Sequence, residues 1–220
     1  IETIRFSLWD GLQISITQAM LLLFFAAGIS YWLMEKQKKG LLTGLMALLF
    51  FVSLRSYSFA ESDRQQKIVV YNVPQKRAID FINGRNYYFA GDSDLLADDF
   101  ARNFHLKPSR ILYRIKEDRQ LDNLTIYENY ARFLNKNVLL IDQSFRFLPT
   151  ETKPVVDLLV ISKNPKLYIS NISKTLDIKQ VVFDGSVPAW KTRYWKKDCD
   201  SLQIPWHDVT TQGAFVMKLN

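Results

Sequence analysis

Val155-Val156-Asp157-Leu158-Leu159-Val160-Ile161, followed at once by Ser162-Lys163-Asn164-Pro165-Lys166-Leu167-Tyr168-Ile169-Ser170, is the stretch whose reading decides the fold. A run of β-branched residues and leucine bounded by Pro154 and Ser162 predicts a strand buried on both faces. The residues after it turn the chain into a helix, with Asn164 as N-cap and Pro165 at the first helical position. In α/β folds, functional groups collect at the carboxyl end of such a central strand. What this loop carries therefore bears directly on function.

Downstream, the helix is expected to run to about Leu176, with a strand at Gln180 to Phe183, a turn at Asp184-Gly185-Ser186, and a helix from about Pro188 to Gln203. Two short strands flank Thr210 to Gln212 at the end. Upstream, Asn129 to Leu134 and Asn137 to Ile141 read as a hairpin around Asn135-Lys136. Before them lie strands at Lys67 to Asn72, Arg77 to Ile82 and Asn86 to Ala90, the last two joined by the hairpin turn Asn83-Gly84. Ser93 opens a helical pattern to Phe104, with Leu96, Phe100 and Phe104 at i, i+4 and i+8 and Asp94 in the first turn. Residues 105–123 are polar and poorly patterned. A β-meander followed by alternating strand and helix implies an α/β sandwich rather than a sheet doubly wound throughout.

Charge divides the 220 residues. Residues 1–60 hold 5 of the 29 Lys and Arg and 3 of the 22 Asp and Glu, and residues 61–220 the other 24 and 19. The first part is membrane-like, and the second has the composition and size of one soluble domain with a net charge of +5. Ile14 to Met34 carries no charge and, at about 1.5 Å per residue, spans roughly 30 Å, one hydrocarbon core. Trp9 and Tyr31-Trp32 flank it at interfacial positions. A signal peptide is the rival reading, opposed by a second apolar run and the lack of a basic leader. That second run, Leu41 to Leu54, reaches a full span if extended to Phe59 with Arg55 snorkelling, the alternative being a re-entrant or interfacial helix. The Lys-rich loop Glu35 to Lys39 is placed in the cytoplasm by the positive-inside rule, which, if both segments span, puts residues 61–220 outside, in the periplasm of a Gram-negative cell. The chain begins with Ile1 rather than Met, so a fragment or processed product is expected.

One cysteine, Cys199, excludes an intrachain disulfide and a Cys-rich zinc site. Two histidines, His105 and His207, leave little for a multinuclear zinc centre. Asp92, Asp142 and Asp184 each end a predicted strand and precede a serine directly or by one residue, and would form an acidic cluster for a hard cation if those strands are neighbours; otherwise each closes a turn or caps a helix. The helix around Trp190 to Lys197 is basic and aromatic, a combination that suits nucleic acid. Trp195, Cys199 and Leu202 make its core-facing stripe, and Arg193, Lys196 and Lys197 lie away from it, which also describes a plain solvated face. Lys163 and Lys166 add positive charge at the opening loop. Cys199 reads as a core residue rather than a nucleophile, and His207 as structural.

Several of these stretches resemble one known family. Asn72-Val73-Pro74-Gln75-Lys76-Arg77-Ala78 sits where the metallo-β-lactamase-like domain of ComEC-type DNA-uptake channels has an Asp-Val-Gly-Gln-Gly-Asp-Ala signature. Tyr88 to Ser93 resembles that family's strand ending in Asp-Thr-Gly, and Val138 to Asp142 its later strand ending in Gly-Asp. Asp157 to Ser162 resembles the strand that enters the metal motif. Val182 to Ser186, Trp195, Cys199, Ile204 to His207 and Gly213 to Val216 are similar to the shortened tail of Bacteroidetes-type members. The resemblance implies a transmembrane helical hairpin (helices at about 14–34 and 41–59, in residues 1–60) followed by a truncated metallo-β-lactamase-like αββα domain (61–220). It also implies the C-terminal part of a multi-pass inner-membrane channel, with DNA, single- or double-stranded, and the upstream channel domain of the same protein as partners; self-association is left open. Metal-binding relatives carry a Ser/Thr-His-x-x-x-Asp-His type run after the strand. Here the positions read Ser162-Lys163-Asn164-Pro165-Lys166-Leu167-Tyr168, without histidine or acid, so no metal, no cofactor and no catalytic residue are expected. The leading expectation is a pseudoenzyme that serves as an accessory or DNA-contacting module. A metal-dependent nuclease degrading one DNA strand, and a membrane-tethered module unrelated to DNA, are the alternatives. On the orientation read above, a reporter fused after Asn220 is active only outside the cytoplasm, and activity confined to the cytoplasm contradicts it.

Overall fold

In the computed structural model, residues 13–118, 121–145 and 152–219 are described; Trp9 lies outside them. Apolar sequence rich in Leu, Ala and Met favours helix where few β-branched residues intervene. It forms α1 (Ile16–Glu35) and α2 (Lys38–Arg64). Ser15 opens α1 with a reciprocal capping box to Gln18, and Lys36 closes it in the left-handed region at φ 54°. The second helix runs 27 residues, starting before the expected Leu41 and passing the expected end at Phe59. Both helices are long and apolar enough to cross a membrane. Glycines let them meet: a Cβ on Gly28 would stand 2.8 Å from the Gly44 Cα, the close backbone approach that small residues permit between apolar helices. The Arg55 guanidinium donates to the Gln13 carbonyl at 2.5 Å and lies 4.9 Å from the Phe59 ring centroid.

The chain divides into two compact units, residues 1–65 with 111–114, and residues 66–110 with 115–220. The second contains β1 (Gln66–Val70), β2 (Ala78–Asn83) and β3 (Asn86–Gly91), then α3 (Ser93–Ala97), α4 (Asp99–Ala101), a π-helical turn at Arg102–Leu106 and the start of α5 (Lys107–Leu112), whose residues 111 and 112 fall in the first unit. β4 (Glu117–Asp118), β5 (Leu124–Tyr127), β6 (Tyr130–Phe133), β7 (Lys136–Ile141), β8 (Val155–Val156) and β9 (Leu158–Ile161) follow. The rest is α6 (Ile169–Ile172), β10 (Asp177–Ile178), β11 (Val181–Phe183), α7 (Ala189–Ser201), β12 (Trp206–Asp208), α8 (Val209–Gln212) and β13 (Phe215–Lys218). One sheet has the order β13-β1-β2-β3-β4 and another β12-β11-β9-β7-β6-β5. In the second, β7, β9, β11 and β12 run parallel, and β6 and β5 continue it as antiparallel neighbours.

The two sheets share one core. Ile68, Ile79 and Phe81 of the first pack with Phe133, Val138 and Val160 of the second, and the Phe81 and Phe133 rings meet edge to face at 5.5 Å. β9 is buried on both faces, as its sequence requires. Leu158 and Val160 enter this core, while Leu159 and Ile161 enter a second one with Phe183, Ile169, Ile172, Trp195 and Cys199, beneath α6 and α7. The far face of the first sheet carries Asp80, fully buried, which accepts from Arg110 Nε and Nη2 at 3.0 Å each and from Tyr71 Oη at 2.7 Å. The Arg110 guanidinium also lies 4.2 Å from the Tyr87 ring centroid.

Four local expectations are corrected. The quoted run is two strands, because Asp157 turns aside to accept from Lys136 Nζ (2.8 Å) and Asn137 N (3.0 Å), leaving β8 to pair with β10. The helix after β9 starts at Ile169 with Tyr168 as N-cap, not at Asn164; Lys163, at φ 59°, and Lys166 give their amides to Ser186 and Ser144 instead of to a helical turn. The helical pattern from Ser93 is broken, with Asp92 rather than Ser93 at the N-cap. Phe100 and Phe104 stack on each other at the surface, and Leu95 and Leu106 fill the interior. Leu202 is the exposed C-cap of α7 and not part of its buried stripe.

Removing one partner of a buried ion pair leaves a bare charge, at a cost of about 3–5 kcal/mol. Arg110→Ala is therefore expected to destabilise the domain by that amount in denaturant titration, and an unchanged midpoint would show that Asp80 finds its compensation elsewhere.

Candidate functional site

The parallel strands end in register. Ile141, Ile161 and Phe183 are paired across β7, β9 and β11, so the next residues, Asp142, Ser162 and Asp184, stand side by side. On β12, Asp208 pairs with Phe183 and so stands one residue short of this row. From the other sheet, β3 ends at Gly91 and delivers Asp92 to the same place. Topology alone thus gathers residues that are 50 and 42 positions apart in the chain.

Side-chain cations of the protein stand among these acids. Lys163 Nζ lies 3.4 Å from Asp92 Oδ1 and 3.7 Å from Asp142 Oδ2. Arg77 Nη1 donates to Asp142 Oδ2 at 3.2 Å, and its backbone N–H to Asp92 Oδ2 at 2.9 Å. Close backbone approaches hold the β1–β2 loop here. A Cβ on Gly91 would stand 2.5 Å from the Arg77 carbonyl oxygen, and one on Gly185 2.3 Å from that of Val73. Gln75, at φ 61°, donates its N–H to Gly185 O at 2.9 Å. Any side chain at either glycine would push this loop off the strand ends.

Asp184 is fully buried. Its Oδ1 accepts from the amide (2.9 Å) and hydroxyl (2.5 Å) of Ser186. Its Oδ2, Ser162 Oγ and Arg77 Nε are buried without a hydrogen-bond partner among the described residues. Burial pushes the Asp184 carboxyl up to about 6, against the pull of neighbouring Ser162 and Ser186 and of the Arg77 charge. Among the described residues, no three His, Cys, Asp or Glu side chains form a group able to hold a metal ion.

The remaining candidates separate by environment. Lys196 Nζ donates to Asp208 Oδ2 at 2.6 Å and lies 4.8 Å from the Trp206 ring centroid. Burial alone would raise the Asp208 carboxyl, but Lys196 and Thr210 hold it below the usual range. Arg193 is exposed on α7. Lys166 and Lys197 line a groove of about 800 Å³ with Tyr168, Trp190, Lys191 and Tyr194. Sequence reasoning had no role for Arg77 and missed Tyr168 and Lys191 as groove residues; the spacing of Trp190 and Tyr194, one helical turn apart, is the signal that was available. His207 gives its Nε2 proton to the Gly213 carbonyl at 2.9 Å, and His105 sits edge-on to Phe104, so neither belongs to the acid cluster. Cys199 is buried and its thiol pushed up to about 12 by burial, with Asp198 and Asp200 adding to the shift; it is inert as a nucleophile.

The architecture defines a mixed α/β domain of two packed sheets that follows two helices apolar enough to span a membrane. Residues 68–219 match the family described as the ComEC C-terminal domain, and the chain belongs to that family. This gives it a role in competence DNA uptake, within a family of inner-membrane proteins that handle DNA at a membrane channel. No curated protein and no solved structure matches the chain.

The raised Asp184 pKa has a sign. Between the usual carboxylate value of about 4 and about 6, the folded state holds the proton that the unfolded chain releases, so stability falls as pH rises through this window. From about pH 5 to about pH 7 the wild type is expected to lose on the order of 1 kcal/mol through this group, and Asp184→Asn to remove that slope. Unfolding curves at the two pH values check it; equal slopes in the two proteins contradict it.

Proposed function

We propose that residues 66–220 are a non-catalytic, DNA-contacting accessory module of a DNA-uptake channel, built on a truncated metallo-β-lactamase-like αββα scaffold and facing the periplasm. The observation that carries this reading is Lys163. Its ammonium stands between Asp92 and Asp142, and on the resemblance to metal-bearing relatives it falls where their run would place histidine. Arg77 satisfies Asp142 from another direction. These residues do not fit a divalent ion: the cluster has no histidine, two of its acids already have cationic partners, and a metal would have to displace or repel both cations. Two packed sheets with helices outside them, and α1 and α2 ahead of the domain, support the scaffold and the membrane attachment. Contact with DNA is supported by the family's role in uptake and by the exposed Lys166, Arg193 and Lys197. Lys163 and Lys196 hold carboxylates, and their part is to shape the surface.

The convergence of acids with the buried Ser162 hydroxyl favours one other reading, a metal-dependent nuclease. Incubating the full chain in detergent with DNA and Mn²⁺ or Zn²⁺ separates the two. No metal-dependent cleavage is expected, in the wild type or in Asp142→Ala. Cleavage in the wild type that Asp142→Ala abolishes would establish the nuclease and overturn the accessory reading.

A further inference from the structure

The groove beside α7 deepens the DNA-contact reading and rests on it. Trp190 and Tyr194, at i and i+4, share one face of the helix. They are 59% and 64% exposed, and Tyr168, at the end of the β9–α6 loop, is 67% exposed. Three large aromatic side chains around one concave surface exceed what a solvated face needs, and such patches mark binding surfaces. Buried Trp195 forms the floor, fixed by its Nε1–H to Leu167 O (3.1 Å) and by stacking on Phe183. Lys166, Lys191 and Lys197 line the groove, and Asp198 is the one acid among its described lining residues. Lys191 Nζ is anchored on Pro165 O at 2.5 Å, 5.3 Å from the Trp195 ring centroid and 5.8 Å from that of Trp190. Burial and, after it, the nearby Lys166 charge draw the Lys191 pKa down, so an incoming anion would relieve this ammonium.

We infer that this groove binds single-stranded DNA, with unpaired bases stacked on Trp190, Tyr194 and Tyr168 and phosphates facing Lys166, Lys191 and Lys197. Exposed ring faces are useful only to bases whose own faces are free, which a duplex covers by stacking. A basic surface without them would serve single strand and duplex alike through phosphate charge. Charge complementarity selects a polyanion, and the aromatic faces select the unpaired form.

The test is anisotropy of fluorescein-labelled oligothymidylate, and of a duplex of equal length, with the full chain in neutral detergent. Tighter binding of the single strand is expected. Trp190→Ala and Tyr194→Ala should each weaken it about tenfold while barely affecting the duplex. Unchanged melting temperatures show that both variants fold, since neither side chain is buried. Wild-type affinity for the single strand in both aromatic variants overturns the proposal. If Lys166→Ala and Lys197→Ala then weaken both substrates, DNA contact stands and stacking falls. No binding of either DNA at low salt removes both. Unchanged oligonucleotide binding together with weaker binding of a short-chain anionic phospholipid overturns it too, and assigns the groove to lipid headgroups.

Discussion

An ammonium group between two carboxylates from different sheets is the interaction on which the rest of the site depends. Asp92 arrives from the β3 end of the first sheet and Asp142 from the β7 end of the second, and Lys163 reaches both. Without a cation, like charges would converge at the mouth of a shared core, where low-dielectric surroundings strengthen repulsion. Arg77 shares the task, and its loop is laid close by two glycines where no Cβ fits. The strand ends are thus held together by cations the chain itself supplies, at the place where an α/β fold ordinarily puts its chemistry.

The loop after β9, which carries Lys163, connects this junction to the groove. Its amides are spoken for at Ser162, Lys163 and Lys166, by Ile141 O, Ser186 Oγ and Ser144 Oγ, and its carbonyls at Pro165 and Leu167 accept from Lys191 and Trp195. A segment fixed at five points presents Lys166 and Tyr168 in one arrangement, which lowers the ordering cost of binding. Lys163 therefore bears on both features: its ammonium on the acids, its backbone on the position of the aromatic rim.

Much of the fold was legible because burial leaves a plain pattern. The β9 run, the β6–β7 hairpin, the Asn83-Gly84 turn and the two apolar helices follow from periodicity, turn chemistry and length. The breaks did not follow. Asp157 interrupts an apolar run for a cross-strand bond that no local preference encodes, and the loop after β9 takes its shape from Ser144 and Ser186, 22 and 23 residues in sequence from the Lys166 and Lys163 amides they accept from. The Phe100 and Phe104 spacing read as one helix face, and periodicity cannot say that this face lies at the surface. For the site, the three aspartates were readable as strand-end acids, but their neutralisation by Lys163 and Arg77 is a tertiary fact. Lys196 shows the reverse case: by position a surface charge, by structure the partner of buried Asp208.

The central claim is that the chain's own cations take the place of a metal at these strand ends. Calorimetric titration of Mn²⁺ into the full chain in detergent tests it most directly. The account predicts no saturable binding in the wild type. Stoichiometric binding that is lost in Asp142→Ala would contradict it.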